Sequence, residues 1–225
     1  MITYLLDTSV IVEFYRPQSS YNSAEELAHS RELCSIITAQ QASDQAILFV
    51  PSFCIAEVKN TFAKWHFRKK VFESAQHYSD CLALFTKHVS NRHFFYSYDL
   101  NRYHNINCDM ILPIEHTCQT EFVVSGLPIG ASQKQIKKKL MEKRIPYDHG
   151  RYYLSSFDIL IISMGMELKR TMAKEVHLLT NDYRLHLIAE QDTAKFPKSY
   201  YWSETSKEIL DGLAPIVSSP KSVKQ

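Results

Sequence analysis

Four carboxylates in this chain stand where strongly apolar runs begin or end: Asp7, Glu57, Asp158 and Asp182. Flanks of that kind bring an acid to the margin of a core, where ionisation is costly without compensation. Gathered in one crevice, the four would repel one another and hold protons more tightly, unless a cation neutralised them. An acid-only donor set suits a hard divalent ion, and Mg²⁺ in particular takes few protein carboxylates, keeps several waters and adds phosphate oxygens. The chemistry this pattern points to is metal-assisted attack of water on a phosphodiester.

Taken singly, each acid also has a plainer use. Asp7 is placed to cap the helix that follows it. Asp158 lies three residues after Ser155, the S-x-x-D spacing of a capping box. Asp182, after Asn181, is placed as an ordinary turn or N-cap residue. Glu57 is too deep in its helix to cap it, and a helix-edge Glu is commonly left in water. The functional reading therefore rests on all four in this order with these flanks. Asp99, after the apolar-aromatic run from Phe94 to Tyr98, is a fifth candidate.

Positioning these residues takes alternating strands and helices. Ile2 to Leu6 reads as a strand that delivers Asp7, and Val10 to Phe14 as a short helix stopped near Pro17. Ser23 caps a helix carrying Leu27, Leu33, Ile36 and Ile37. Ala46 to Val50 is a buried second strand ended by Pro51. Ser52 is placed to cap one long helix from about Phe53 into the eighties, with Cys54, Val58, Phe62 and Trp65 as its apolar stripe. Phe94 to Tyr98 is a third strand. Ser132 caps a basic helix from Gln133 to Arg144. The helix opened by Ser155 continues through Ile159 to Met166, where Gly165 calls for close packing. Val176 to Leu179 is a late strand leading to Thr180, Asn181 and Asp182, then a helix with Leu185, Leu187 and Ile188. The expectation is an α/β fold with a central, mainly parallel sheet. One domain spans residues 1–217, with a less regular stretch at about 90–150 and a polar tail at 218–225. In such sheets ligands bind outside the C-terminal strand ends, the edge on which Asp7 falls.

With 26 Lys and Arg against 24 Asp and Glu, the net charge of +2 gives no global attraction for nucleic acid. Positive charge is local instead: Lys134, Lys137, Lys138, Lys139, Lys143 and Arg144 in one run, Arg68, Lys69 and Lys70 in another. Either would attract a phosphate backbone without reading bases. Five scattered cysteines without a C-x-x-C pair argue for a reducing compartment, and the expected location is cytoplasmic. No apolar run approaches the roughly 18 residues of a membrane span, so no membrane partner is expected. There is no G-x-S-x-G, P-loop or G-x-G-x-x-G, and His104, Cys108, His116 and Cys118 match no zinc-finger spacing.

The motifs resemble those of the PIN-domain ribonuclease family, which includes the toxins of bacterial toxin–antitoxin pairs. Asp7-Thr8-Ser9 is similar to the family's opening strand-Asp-Thr/Ser motif, and Pro51-Ser52-Phe53-Cys54-Ile55-Ala56-Glu57 to its second. Ser156-Phe157-Asp158-Ile159-Leu160-Ile161-Ile162-Ser163 looks like its Asp-led apolar helix, and Leu178-Leu179-Thr180-Asn181-Asp182 like its strand-Thr-x-Asp motif. The resemblance implies a PIN-like α/β/α sandwich, here with an insertion before the third acidic motif. It also implies a Mg²⁺- or Mn²⁺-dependent endoribonuclease acting on single-stranded or loop RNA. Asp7, Glu57 and Asp158 would then hold the principal metal directly or through water, and Asp182 would complete the cluster. Thr8, Ser9, Thr180 and Asn181 would orient carboxylates or a metal-bound water. The implied partners are the RNA substrate, a small antitoxin protein and a second copy of the chain. The alternative is a catalytically silent PIN-like scaffold that binds RNA or protein. Aspartate-nucleophile phosphatases of the haloacid-dehalogenase type also open with a strand ending in Asp, but they need a second Asp two residues on, where this chain has Ser9.

Overall fold

A computed structural model describes residues 1–90, 94–119 and 154–213, together with Ser132, Lys134, Gln135 and Lys138. Ile2–Leu6 forms strand β1 and is buried along its whole length, as a strand must be when helices cover both of its faces. It is the middle of a sheet with β2 (Ala46–Pro51), β3 (Tyr96–Tyr98), β4 (His177–Thr180) and β5 (Lys198–Tyr201). The order is β3-β2-β1-β4-β5, and every pair is parallel. The described helices are α1 (Thr8–Ile11), α2 (Ala24–Ala42), α3 (Ser52–Phe67), α4 (Ala75–Ser90), α5 (Arg102–Gln119), α6 (Ser156–Met172), α7 (Tyr183–Ala189) and α8 (Lys207–Leu213).

Alternation along β1 separates the helical layers, because neighbouring side chains leave opposite faces of a strand. The Tyr4 hydroxyl donates to Gln40 Oε1 on α2 at 2.8 Å, and Gln40 Nε2 donates to the Leu210 carbonyl on α8 at 3.0 Å. On the other face, Thr3 Oγ1 lies 3.8 Å from Met172 Sδ at the end of α6, against which α5 packs. The result is the expected α/β sandwich, with a sheet that is wholly parallel.

Strand order also decides where a site can form. The chain builds outward from β1 through β2 to β3, then returns to lay β4 against the other side of β1. The crevice at that reversal, beyond the C-terminal ends of β1 and β4, is the natural ligand position of an open parallel sheet. Asp7 follows β1, and Asn181 and Asp182 follow β4.

Several elements differ from expectation. The single long helix is two, α3 and α4, because the chain turns at Lys70, whose φ of 54° lies in the left-handed region. Val71 N–H donates back to the Trp65 carbonyl, and Phe72 folds onto Phe62 and Trp65. Ser52 is the first residue of α3 rather than its cap; Pro51 occupies the cap position without a side-chain bond. The late strand begins at His177 and takes in Thr180, while the third strand is confined to Tyr96–Tyr98, with Phe95 buried just before it. Gly165 does mark close packing: a Cβ there would stand 2.5 Å from Pro197 Cγ. The basic helix from Gln133 to Arg144 and the tail at 218–225 lie outside the described residues, apart from exposed Lys134, Gln135 and Lys138. Among the described residues no helix is long and apolar enough to cross a membrane.

Candidate functional site

Asp7 stands at the cap position of α1, yet its side chain makes no capping bond. It accepts instead from Ser9 Oγ at 2.5 Å and Thr180 Oγ1 at 2.9 Å, both through Oδ2, so Oδ1 takes neither bond. The two hydroxyls are themselves held. Ser9 Oγ accepts from the Asn181 N–H at 2.8 Å, and Thr180 Oγ1 from the Asp182 N–H at 2.9 Å. Because the Thr180 side chain is fully buried, this lattice fastens the end of β1 to the end of β4.

Glu57 joins through Thr8, whose Oγ1 donates to Glu57 Oε2 at 2.7 Å. Its place one turn into α3 follows from the Pro51-Ser52 helix start at the end of β2. Buried Cys54 feels both acids: burial pushes its thiol well up, and the charges of Asp7 and Glu57 push it further. Asp158 sits in the first turn of α6 within a full capping box. Ser155 N–H donates to Asp158 Oδ2 at 2.8 Å, and Asp158 N–H to Ser155 Oγ at 3.2 Å. Asp182 caps α7, accepting from the N–H groups of Arg184 and Leu185, and pairs with the Arg184 guanidinium at 3.0 Å.

Electrostatics ties three of the acids together. Burial pushes Asp7 up to about 6, partly offset by the Ser9 bond, and Asp158 and Asp182 raise it further. Asp158 is likewise raised, first by burial and then by Asp182, while Ser155 and Arg184 act in the opposite sense. Yet among the described residues no three His, Cys, Asp or Glu side chains stand close enough together to enclose a metal ion. The acids share one electrostatic environment without forming a closed coordination shell. Their donors are all oxygen, and Asp7 and Asp158 hold their protons more tightly than an ordinary carboxylate, which suits a hard cation held partly through water. Spacing and the Asp182–Arg184 pair do not complete a cage.

The remaining expected residues divide. Asp99 follows β3, exposed. Arg68, Lys69 and Lys70 are exposed at the far end of α3, roughly 16 Å along the helix from Glu57 at 1.5 Å per residue. Lys134 and Lys138 are exposed, and Lys137, Lys139, Lys143 and Arg144 lie outside the described residues.

Arg184 had no part in the sequence reading, although a basic residue two positions after a capping acid was a signal for it. The same holds for Glu13, buried and bound by Arg16, Tyr21 and Ser30. Glu13 lines a cavity of about 310 Å³ with Arg16, His29, Asn181 and Trp202. The site's neighbour Asn181 is fixed there by Ser203, whose Oγ donates to Asn181 Oδ1 at 2.7 Å. Compared with known families and with curated proteins, the chain matches neither a family model nor a curated relative.

Proposed function

We propose that the chain is a metal-dependent endoribonuclease of the PIN type, cutting single-stranded or loop RNA at the acidic edge of the sheet. The observation that carries this reading is the raised proton affinity of buried Asp7 at the topological switch point, to which Asp158 and Asp182 both add. Carboxylates that raise one another's proton affinity are in a state that a divalent cation relieves. Asp7, Glu57 and Asp158 would hold Mg²⁺ or Mn²⁺, in part through water, with Asp182 as the outer acid. When bound, that ion supplies activation of the attacking water and charge neutralisation at the phosphate. Ser9 and Thr180 keep the Asp7 carboxylate in one orientation, and Thr8 does the same for Glu57. A toxin role, with a small antitoxin as partner, and homodimer formation belong to the same proposal.

A second reading is favoured by a specific observation. Asp182 is already neutralised by Arg184, and no three acids stand at ligating spacing among the described residues. That arrangement also suits a catalytically silent scaffold that binds RNA or protein. Incubating unstructured and hairpin RNAs with Mg²⁺ or Mn²⁺, with chelator, and beside Asp7→Asn separates the two. The ribonuclease reading expects cleavage that both chelator and substitution abolish; cleavage surviving both would rule it out.

A further inference from the structure

Two phenylalanines reach the same sheet edge as the acids, each within the motif that carries Glu57 or Asp158. Phe53 precedes Glu57 by one helical turn and so shares its face of α3. Phe157 is the immediate neighbour of Asp158 in the first turn of α6. Their rings stack, with centroids 5.1 Å apart and planes 19° from parallel. Phe53 packs against the core, whereas Phe157 is 46% exposed. The contact joins the first turns of two helices that each carry an acid of the site, and leaves an aromatic surface at the protein boundary.

We propose that the Phe53–Phe157 stack is a platform for an unpaired nucleobase of a single-stranded nucleic acid, next to the phosphodiester held at the acids. The choice of a nucleic acid rests on the ribonuclease reading above. Every base has a π-face, so one exposed ring can seat any of them, giving affinity without sequence preference. A duplex keeps its bases stacked on one another and cannot use such a platform, which makes the ring a selector for unpaired strand. An apolar protein segment would cover the ring equally well. It would also seal Asp158 and Glu57 away from water, at the cost of desolvating two acids.

The test uses the full chain, Asp7 intact, in a background of Ca²⁺, a hard cation for oxygen donors that stands in for Mg²⁺ without supporting turnover, titrated against short single-stranded RNAs carrying 2-aminopurine at successive positions. At one position the fluorescence changes on binding. Under the same conditions Phe157→Ala removes the change and weakens binding about tenfold, within the range for one stacked base; Phe157→Trp retains both. An abasic site at that position weakens binding to the Phe157 protein and adds nothing to Phe157→Ala. Phe157→Ala gives up the contact with Phe53 and lowers the melting temperature slightly; a single cooperative transition well above the assay temperature checks that folding is intact. Unchanged affinity and fluorescence in Phe157→Ala, additive losses, or failure of every single strand to bind would each overturn the platform, the last assigning the ring to a protein contact. Failure of the ribonuclease reading is separate: the wild-type chain then leaves RNA uncut in Mg²⁺ or Mn²⁺ while the Phe157-dependent fluorescence change persists.

Discussion

Asp7 is the residue on which the electrostatics concentrates: 6% exposed, held by two hydroxyls and facing the charges of two further acids. In the folded chain it keeps its proton up to about 6, against about 4 for an ordinary aspartate. The folded state therefore binds more protons between those values. The stabilising contribution is full below about pH 4 and is lost as pH rises through about 6. Asp7→Asn, which cannot ionise, should stabilise the metal-free protein at pH 7.5 by on the order of 2 kcal/mol, and much less at pH 4.5. Denaturant melts of both proteins at the two pH values check this; equal differences at both would show that Asp7 does not titrate in that window. Thr180→Val keeps the shape but removes the bond to Asp7. By analogy with other supports of metal ligands it should lower metal affinity and cleavage about 10- to 100-fold. Asp7, Ser9, Thr180 and Asn181 were legible in the sequence because each sits within three residues of a strand end. Arg184 carried a local signal, its spacing from Asp182, whereas the Phe53–Phe157 pair carried none, since only folding brings the two rings together.

The elements set how firmly those residues are held. Ser155→Ala deletes the half of the capping box in which Ser155 Oγ accepts from the Asp158 N–H and should cost about 1 kcal/mol, while the Ser155 N–H that holds the Asp158 carboxylate stays in place. A loss of stability with no change in metal affinity would separate the capping role from a ligand role. Gly165→Ala forces a methyl against Pro197 just ahead of β5 and should cost about 1 to 3 kcal/mol, as overpacking does. Ala173, at φ 49° after α6, is strained for a residue with a Cβ; Ala173→Gly should raise stability by about 1 kcal/mol. The strands and capped helices were readable from period and cap residues, Ser23, Ser155 and Asp182 among them. The break between α3 and α4 was hidden because a lysine, not a glycine, takes the left-handed position.

At the scale of the molecule, the α/β class followed from alternating patterns, but the strand order did not. Nothing local states that β4 must return beside β1, and that return alone turns two acids 175 residues apart in sequence, Asp7 and Asp182, into neighbours. The central claim is that this edge is a divalent-metal site, with Asp7 at its centre. Titrating Mn²⁺ into the protein and following the free-ion signal by electron paramagnetic resonance tests it most directly. The account predicts saturable binding that is lost in Asp7→Asn and weakened in Glu57→Gln and Asp158→Asn. No saturable binding at millimolar Mn²⁺, or binding undiminished in Asp7→Asn, would contradict it.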